Sequence, residues 1–178
     1  MNKTNLSIAL AAVLLAAVGA ILPACRPQEQ DLPFETIEQT YSSGTGRYYE
    51  NREPAMMIVS APQEAEQVFN FITPDAAERL NRINYDSYFA IAVFQGMKPS
   101  GGYGVNITRI SSRNHQITVE VNFQKPVPGF ERTNVITSPY QLVQVEKPAG
   151  LEGRQTFVLR GNGNTDRLGK HRRSVVIC

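Results

Sequence analysis

The run Tyr88-Phe89-Ala90-Ile91-Ala92-Val93-Phe94 is apolar at every position, so a strand built from it has no face suited to water. It is expected to lie in the middle of a sheet that is covered on both sides. Close behind it comes Gly96-Met97-Lys98-Pro99-Ser100-Gly101-Gly102-Tyr103, and a second strand-like run begins at Val105. The octet therefore reads as a connection between two sheet strands. Pro99 fixes its own φ and pushes Lys98 toward extended backbone, while Gly101 and Gly102 permit positive φ at two consecutive positions. A stiff approach and a pliable exit should result. Tyr103 then supplies an amphipathic ring that either pins the loop to the core or faces a partner. Turn geometry accounts for the glycines, but a plain hairpin needs only a pair such as Asn-Gly. The Lys, Pro, Ser and Tyr exceed that need, and consecutive N–H groups from Ser100 to Gly102 beside Lys98 also suit an anion.

The flanking chain supplies the rest of the sheet. Phe34 to Tyr41 alternates as a first strand, Ser42 to Glu53 is rich in Gly, Ser and charge and reads as a loop, and Ala55 to Ser60 reads as a buried second strand. Ser60 with Gln63 fits a capping box, and Ala65, Val68, Phe69 and Ile72 recur at helical spacing, which predicts a helix from Pro62 to about Phe71. Thr73-Pro74 predicts a second helix, running to about Arg82. Asp75 and Glu78 on that helix complement its dipole. Beyond Val105 to Ile110 and a polar turn at Ser111 to Gln116, Ile117, Val119, Val121 and Phe123 alternate with polar residues as a half-buried strand. A Pro-containing loop at Lys125 to Gly129 follows. Leu142, Val143 and Val145 then form an apolar stretch after Ser138-Pro139-Tyr140, and Thr156 to Leu159 and Val175 to Ile177 are further strand candidates. These elements imply an α+β fold: mostly antiparallel β-sheet, closing as a barrel or packing as a sandwich, with one or two helices inserted after the second strand. One globular domain, 34–178, is expected.

The N-terminal stretch has a different character. Residues 1–24 carry Lys3 and no acidic group around the apolar segment Leu6 to Leu22, which resembles a bacterial export signal. Its uninterrupted part, Ile8 to Val18, is too short for a membrane span. Leu22-Pro23-Ala24-Cys25 resembles a lipobox, so residues 1–24 are expected to be removed, Cys25 acylated, and 25–33 left as a tether. Under the alternative of a simple secretory signal, Cys25 is incidental. More than one acyl chain gives stable anchoring, which places the domain at the cell envelope, lipid-anchored and extracytoplasmic. Of 18 basic and 16 acidic residues only Lys3 would be lost, leaving 17 against 16. Such a balance argues against nucleic acid as a partner. With Cys25 acylated, Cys178 has no intrachain partner and reads as incidental. Lys170-His171-Arg172-Arg173 reads as a solvated basic edge, with anionic headgroups as its alternative ligand.

Catalytic patterns are missing. His115 and His171 lie in polar segments without further ligands at metal-binding spacing. There is no nucleophile elbow, phosphate-binding Walker pattern or zinc-binding His-Glu-x-x-His, and Gly161-Asn162-Gly163 lacks the third glycine of a dinucleotide site. No enzymatic activity, cofactor or metal is expected.

The stretch Tyr88 to Tyr103, with Val105 to Ile110 and Thr137-Ser138-Pro139-Tyr140-Gln141-Leu142-Val143, resembles the C-terminal domain of the protease complex subunit PrcB family over roughly residues 86–147. That family's loop has Thr where this chain has Ser100, a change that keeps the hydroxyl. The resemblance implies a bacterial lipoprotein that binds a protein partner, an extracellular protease, and supports its stability or assembly. On this reading Lys98, Pro99, Ser100, Gly101, Gly102 and Tyr103, together with Ser138, Pro139 and Tyr140, form the partner-binding surface, and Cys25 carries the lipid. Pro99-Ser100-Gly101-Gly102-Tyr103 is also similar to the inhibitory loop of chagasin-type cysteine-protease inhibitors. The alternative expectation is therefore a protease inhibitor that uses residues 98–103 as a wedge.

Overall fold

Residues of the apolar run from Tyr88 to Phe94 alternate between two separate cores. In the computed structural model, which describes residues 29–40, 48–129, 134–162 and 172–177, Phe89, Ile91 and Val93 point into a core between two sheets. Ala90, Ala92 and Phe94 face a second core beneath the helices. The strand is therefore covered on both faces, as its composition requires.

Nine strands are described: β1 (Gln30–Asp31), β2 (Phe34–Thr40), β3 (Ala55–Val59), β4 (Tyr88–Phe94), β5 (Gly104–Arg113), β6 (Gln116–Gln124), β7 (Tyr140–Glu146), β8 (Gly153–Gly161) and β9 (Arg172–Ile177). They form a five-stranded sheet in the order β1-β5-β6-β8-β9 and a four-stranded sheet in the order β2-β7-β4-β3. Every pairing is antiparallel except β6 with β8. The two sheets face each other across the first core as a sandwich, without closing into a barrel. Two short helices, α1 (Glu66–Phe69) and α2 (Pro74–Asn81), cover the outer face of the smaller sheet. The fold is thus α+β and dominated by strands.

Local chemistry explains most boundaries. Thr73 caps α2, its hydroxyl oxygen accepting the Ala76 N–H at 3.2 Å, and Pro74 follows at the first helical position. The expected continuous helix from Pro62 is instead a 3-10 turn, Pro62–Glu64, followed by the single turn of α1. Its start is secured by Glu64, not Gln63: the Ser60 N–H and hydroxyl both donate to the Glu64 carboxylate, at 2.7 and 2.9 Å.

Three expectations change. First, the end of the stretch read as a tether belongs to the fold, because Gln30–Asp31 pairs with Ser111 and Ser112 of β5 and Leu32 is buried in the main core. Arg109 bridges Glu29 and Asp31, and the Ser111 hydroxyl, with Arg109 beside it, holds the Glu29 carboxyl below its usual range. The helices consequently follow the third strand. Second, the polar turn shrinks to Asn114-His115, both at positive φ (51° and 58°), which joins β5 to β6 as a two-residue hairpin. His115→Gly is expected to stabilise the domain by up to about 1 kcal/mol by relieving the left-handed backbone, measurable by urea titration. Third, the two strands that the octet connects, β4 and β5, are not neighbours but lie in different sheets. The octet is a crossover at one end of the sandwich.

Residues 1–24, Cys25, Cys178 and the segment 163–171 lie outside the described residues. Among the described residues no helix is long and apolar enough to cross a membrane.

Candidate functional site

The crossover is held almost entirely by backbone. After β4, the Gln95 N–H donates to Pro139 O at 2.9 Å and the Met97 N–H to Asn51 O at 2.8 Å. Gly96 sits between them at φ +84°, and a Cβ there would lie 2.5 Å from the carbonyl oxygen of Arg52. Only glycine meets both demands. Lys98 then exchanges two hydrogen bonds with Thr137, at 2.8 and 2.9 Å, and the Thr137 hydroxyl donates to Ser100 O at 3.0 Å. The octet is thereby zipped onto the chain that leads into β7.

Of the consecutive glycines only Gly102 adopts positive φ, at +85°, and an added Cβ would press on Pro126 at 3.1 Å. Gly101 does not share that conformation. Pro99 and Gly102 are exposed, and Met97, Lys98, Gly101 and Tyr103 are half-buried. The Lys98 ammonium donates to Arg52 O at 3.2 Å and stands 6.0 Å above the Tyr103 ring. Partial burial pulls its pKa below the usual lysine value, Glu53 opposing the shift and Lys125 adding to it.

The residues named from sequence divide into a surface and a floor. Lys98, Pro99, Gly101, Gly102 and Tyr103 reach the surface, and Ser100 is buried at 9 % exposure. Ser138, Pro139 and Tyr140 are also buried, which corrects the expectation that they face a partner. The Ser138 hydroxyl oxygen accepts the Tyr49 N–H at 3.2 Å. Tyr49 in turn stacks on Phe94, with ring centroids 5.1 Å apart. The Tyr140 hydroxyl accepts the Thr73 N–H at 3.0 Å and donates to Glu38. These side chains anchor the start of β7, next to Thr137, where the crossover is attached.

Sequence reasoning overlooked what the crossover displays. Arg52, Met97, Lys98, Pro99 and Ile136 line a cleft of about 320 Å³. Ile136 is 50 % exposed, Val135 56 % and Val127 61 %; of the described large hydrophobic residues, only Val176 on β9 is comparably open. All three lie between β6 and β7, where apolar residues without alternation were the available signal. Two buried glutamines were also passed over. Gln95 donates to Gln124 O at 2.9 Å; Gln141 accepts the Ile107 N–H at 2.6 Å and donates to the Thr36 hydroxyl at 3.0 Å. Gln141 thereby caps an edge group of β5 from the opposite sheet.

Among the described residues no cluster of His, Cys, Asp or Glu has the makings of a metal site. No curated protein and no solved structure matches the chain. A family model does match, over residues 89–146; it is described as PrcB C-terminal. The matched segment runs from β4 into β7 and contains the whole crossover and its floor.

Proposed function

We propose, from the match of residues 89–146 to the PrcB C-terminal family model, that this chain is a non-catalytic accessory subunit of a protease complex. In this reading it is held at the cell envelope by lipid on Cys25 and grips its protein partner through the crossover end of the sandwich. The observation that carries the reading is the exposure of Val127, Val135 and Ile136 beside a backbone-zipped loop. Exposed aliphatic groups gathered at one end suit a protein contact, and a loop fixed in advance loses little entropy on binding.

We prefer this to the inhibitor reading. A wedge of the chagasin kind has to project, whereas Ser100 is buried and its carbonyl is occupied by Thr137. Inhibition of papain-like enzymes at micromolar protein would reverse that preference.

The test is co-purification from native membranes with the lipidated chain as bait. Val135→Ser and Ile136→Ser together should reduce recovery of the protease partner at least about tenfold, since each removes an aliphatic anchor worth on the order of 1 kcal/mol. The thermal midpoint should hardly move, because both side chains already meet solvent. Undiminished recovery would exclude this end as the contact. The anchor is tested separately: Cys25→Ser should move the protein from the membrane to the soluble fraction.

A further inference from the structure

The cleft at the crossover has a chemical polarity that narrows the class of partner, on the premise that the reading above is right. Its lining combines Met97, Pro99 and Ile136 with two cationic residues, Lys98 and Arg52, and contains no acidic residue; Glu53, whose charge acts on Lys98, lies outside it. Among the described residues neither cation makes an ion pair. The Lys98 ammonium, which carries three donors, donates to Arg52 O. A half-buried ammonium lining an apolar cleft favours an incoming carboxylate. The cleft's volume lies at the low end of ligand pockets, which run from about 300 to 1,000 Å³. That suits one aliphatic side chain better than a lipid tail.

We infer that this cleft takes an extended acidic segment of the partner protein, with an aliphatic side chain seated between Met97, Pro99 and Ile136 and the carboxylate of the next residue on Lys98 and Arg52. The aliphatic group provides the anchor and the carboxylate provides selectivity.

The experiment uses the full chain in detergent, labelled with nitrogen-15 and titrated with blocked tetrapeptides. N-acetyl-Gly-Ile-Glu-Gly-amide should shift the amides of Met97, Lys98, Arg52 and Ile136 saturably. Its Glu→Gln counterpart should bind about fivefold more weakly or worse, as expected for the loss of a charge-assisted contact, and its Ile→Ala counterpart should also weaken. High salt should narrow the difference between the Glu and Gln peptides. Lys98→Gln should abolish most of that difference while leaving the thermal midpoint in place. Equal affinity for the Glu and Gln peptides, absence of saturable shifts, or tighter binding of n-octanoate than of the Glu peptide would overturn the inference. The two readings fail separately. Loss of partner recovery in the Val135/Ile136 variant, with no preference for the Glu peptide, would retain the gripping role and discard the acidic segment.

Discussion

Tyr140→Ala should destabilise the domain by about 3–5 kcal/mol, the range for emptying a large aromatic site. The ring is fully buried, with its centroid 5.6 Å from that of Phe94. Its hydroxyl joins three elements, taking the Thr73 N–H at the start of α2 and donating to Glu38 on β2. Glu38 also accepts the Thr73 hydroxyl at 2.8 Å. Tyr140→Phe keeps the ring and strands those partners, so it should cost about 1–3 kcal/mol. Urea denaturation of both variants separates ring from hydroxyl. If Tyr140→Phe were neutral for stability yet abolished partner capture, the residue would face the partner after all.

The same hydroxyl gives a pH signature. Burial, reinforced by Glu38, raises the Tyr140 pKa far above that of a free phenol, and burial pushes Tyr85 up to about 12. Below pH 10 both phenols are protonated in the folded and unfolded chain, so neither contributes a slope. Above about pH 10 the unfolded chain releases these protons first, and stability should fall with rising pH by about 1.4 kcal/mol per unit for each phenol. For Tyr85 the fall should level off beyond pH 12. Tyr140→Phe should make the alkaline slope shallower.

Gly96→Ala is the second large effect, at about 2–4 kcal/mol. An L residue at φ +84° is strained, and the new Cβ would collide with backbone, the carbonyl of Arg52, which has no rotamer by which to withdraw. Relief requires residues 51–52 to part from the crossover, sacrificing the hydrogen bond from the Met97 N–H to Asn51 O. Gly129→Ala is the control. Its φ is also positive, at +86°, but among the described residues nothing lies within 4 Å of the added Cβ, so the backbone strain of about 1–2 kcal/mol is the expected cost. Similar losses for the two variants would show that close packing at Gly96 is unimportant.

Much of the sandwich was legible because burial writes itself into short-range pattern. Tyr88 to Phe94 announced a strand covered on both faces, Ile117 to Phe123 announced one covered on a single face, and Thr73-Pro74 marked the start of α2. The crossover was legible as an unusual connection, but not as one between different sheets, since nothing local to Gly96–Tyr103 says where β5 finds its neighbour. Ser138 and Tyr140 misled, and Gln141 escaped notice, for a related reason. Polar side chains in or beside a strand usually meet water or a partner, and here each is buried to satisfy a group remote in sequence: Tyr49 N–H, Ile107 N–H and Thr73 N–H. The strand β1 was hidden because Gln30–Asp31 is polar and exposed, its place secured by pairing with β5 and by Arg109. The cleft combined residues from three separate stretches, near 52, 97–99 and 136, which no local pattern links.

The pairing of β2 with β7 has a temporal consequence. Phe34 lies opposite Val145, and β7 separates β2 from β4, so β2 has no neighbour in its own sheet until nearly the whole matched segment has been synthesised. β3, the helices and β4 are close in sequence and can associate early, whereas closing the long loop back to β2 is entropically slow. β2 should therefore be the last strand of its sheet to dock, although β1 just before it can already pair with β5.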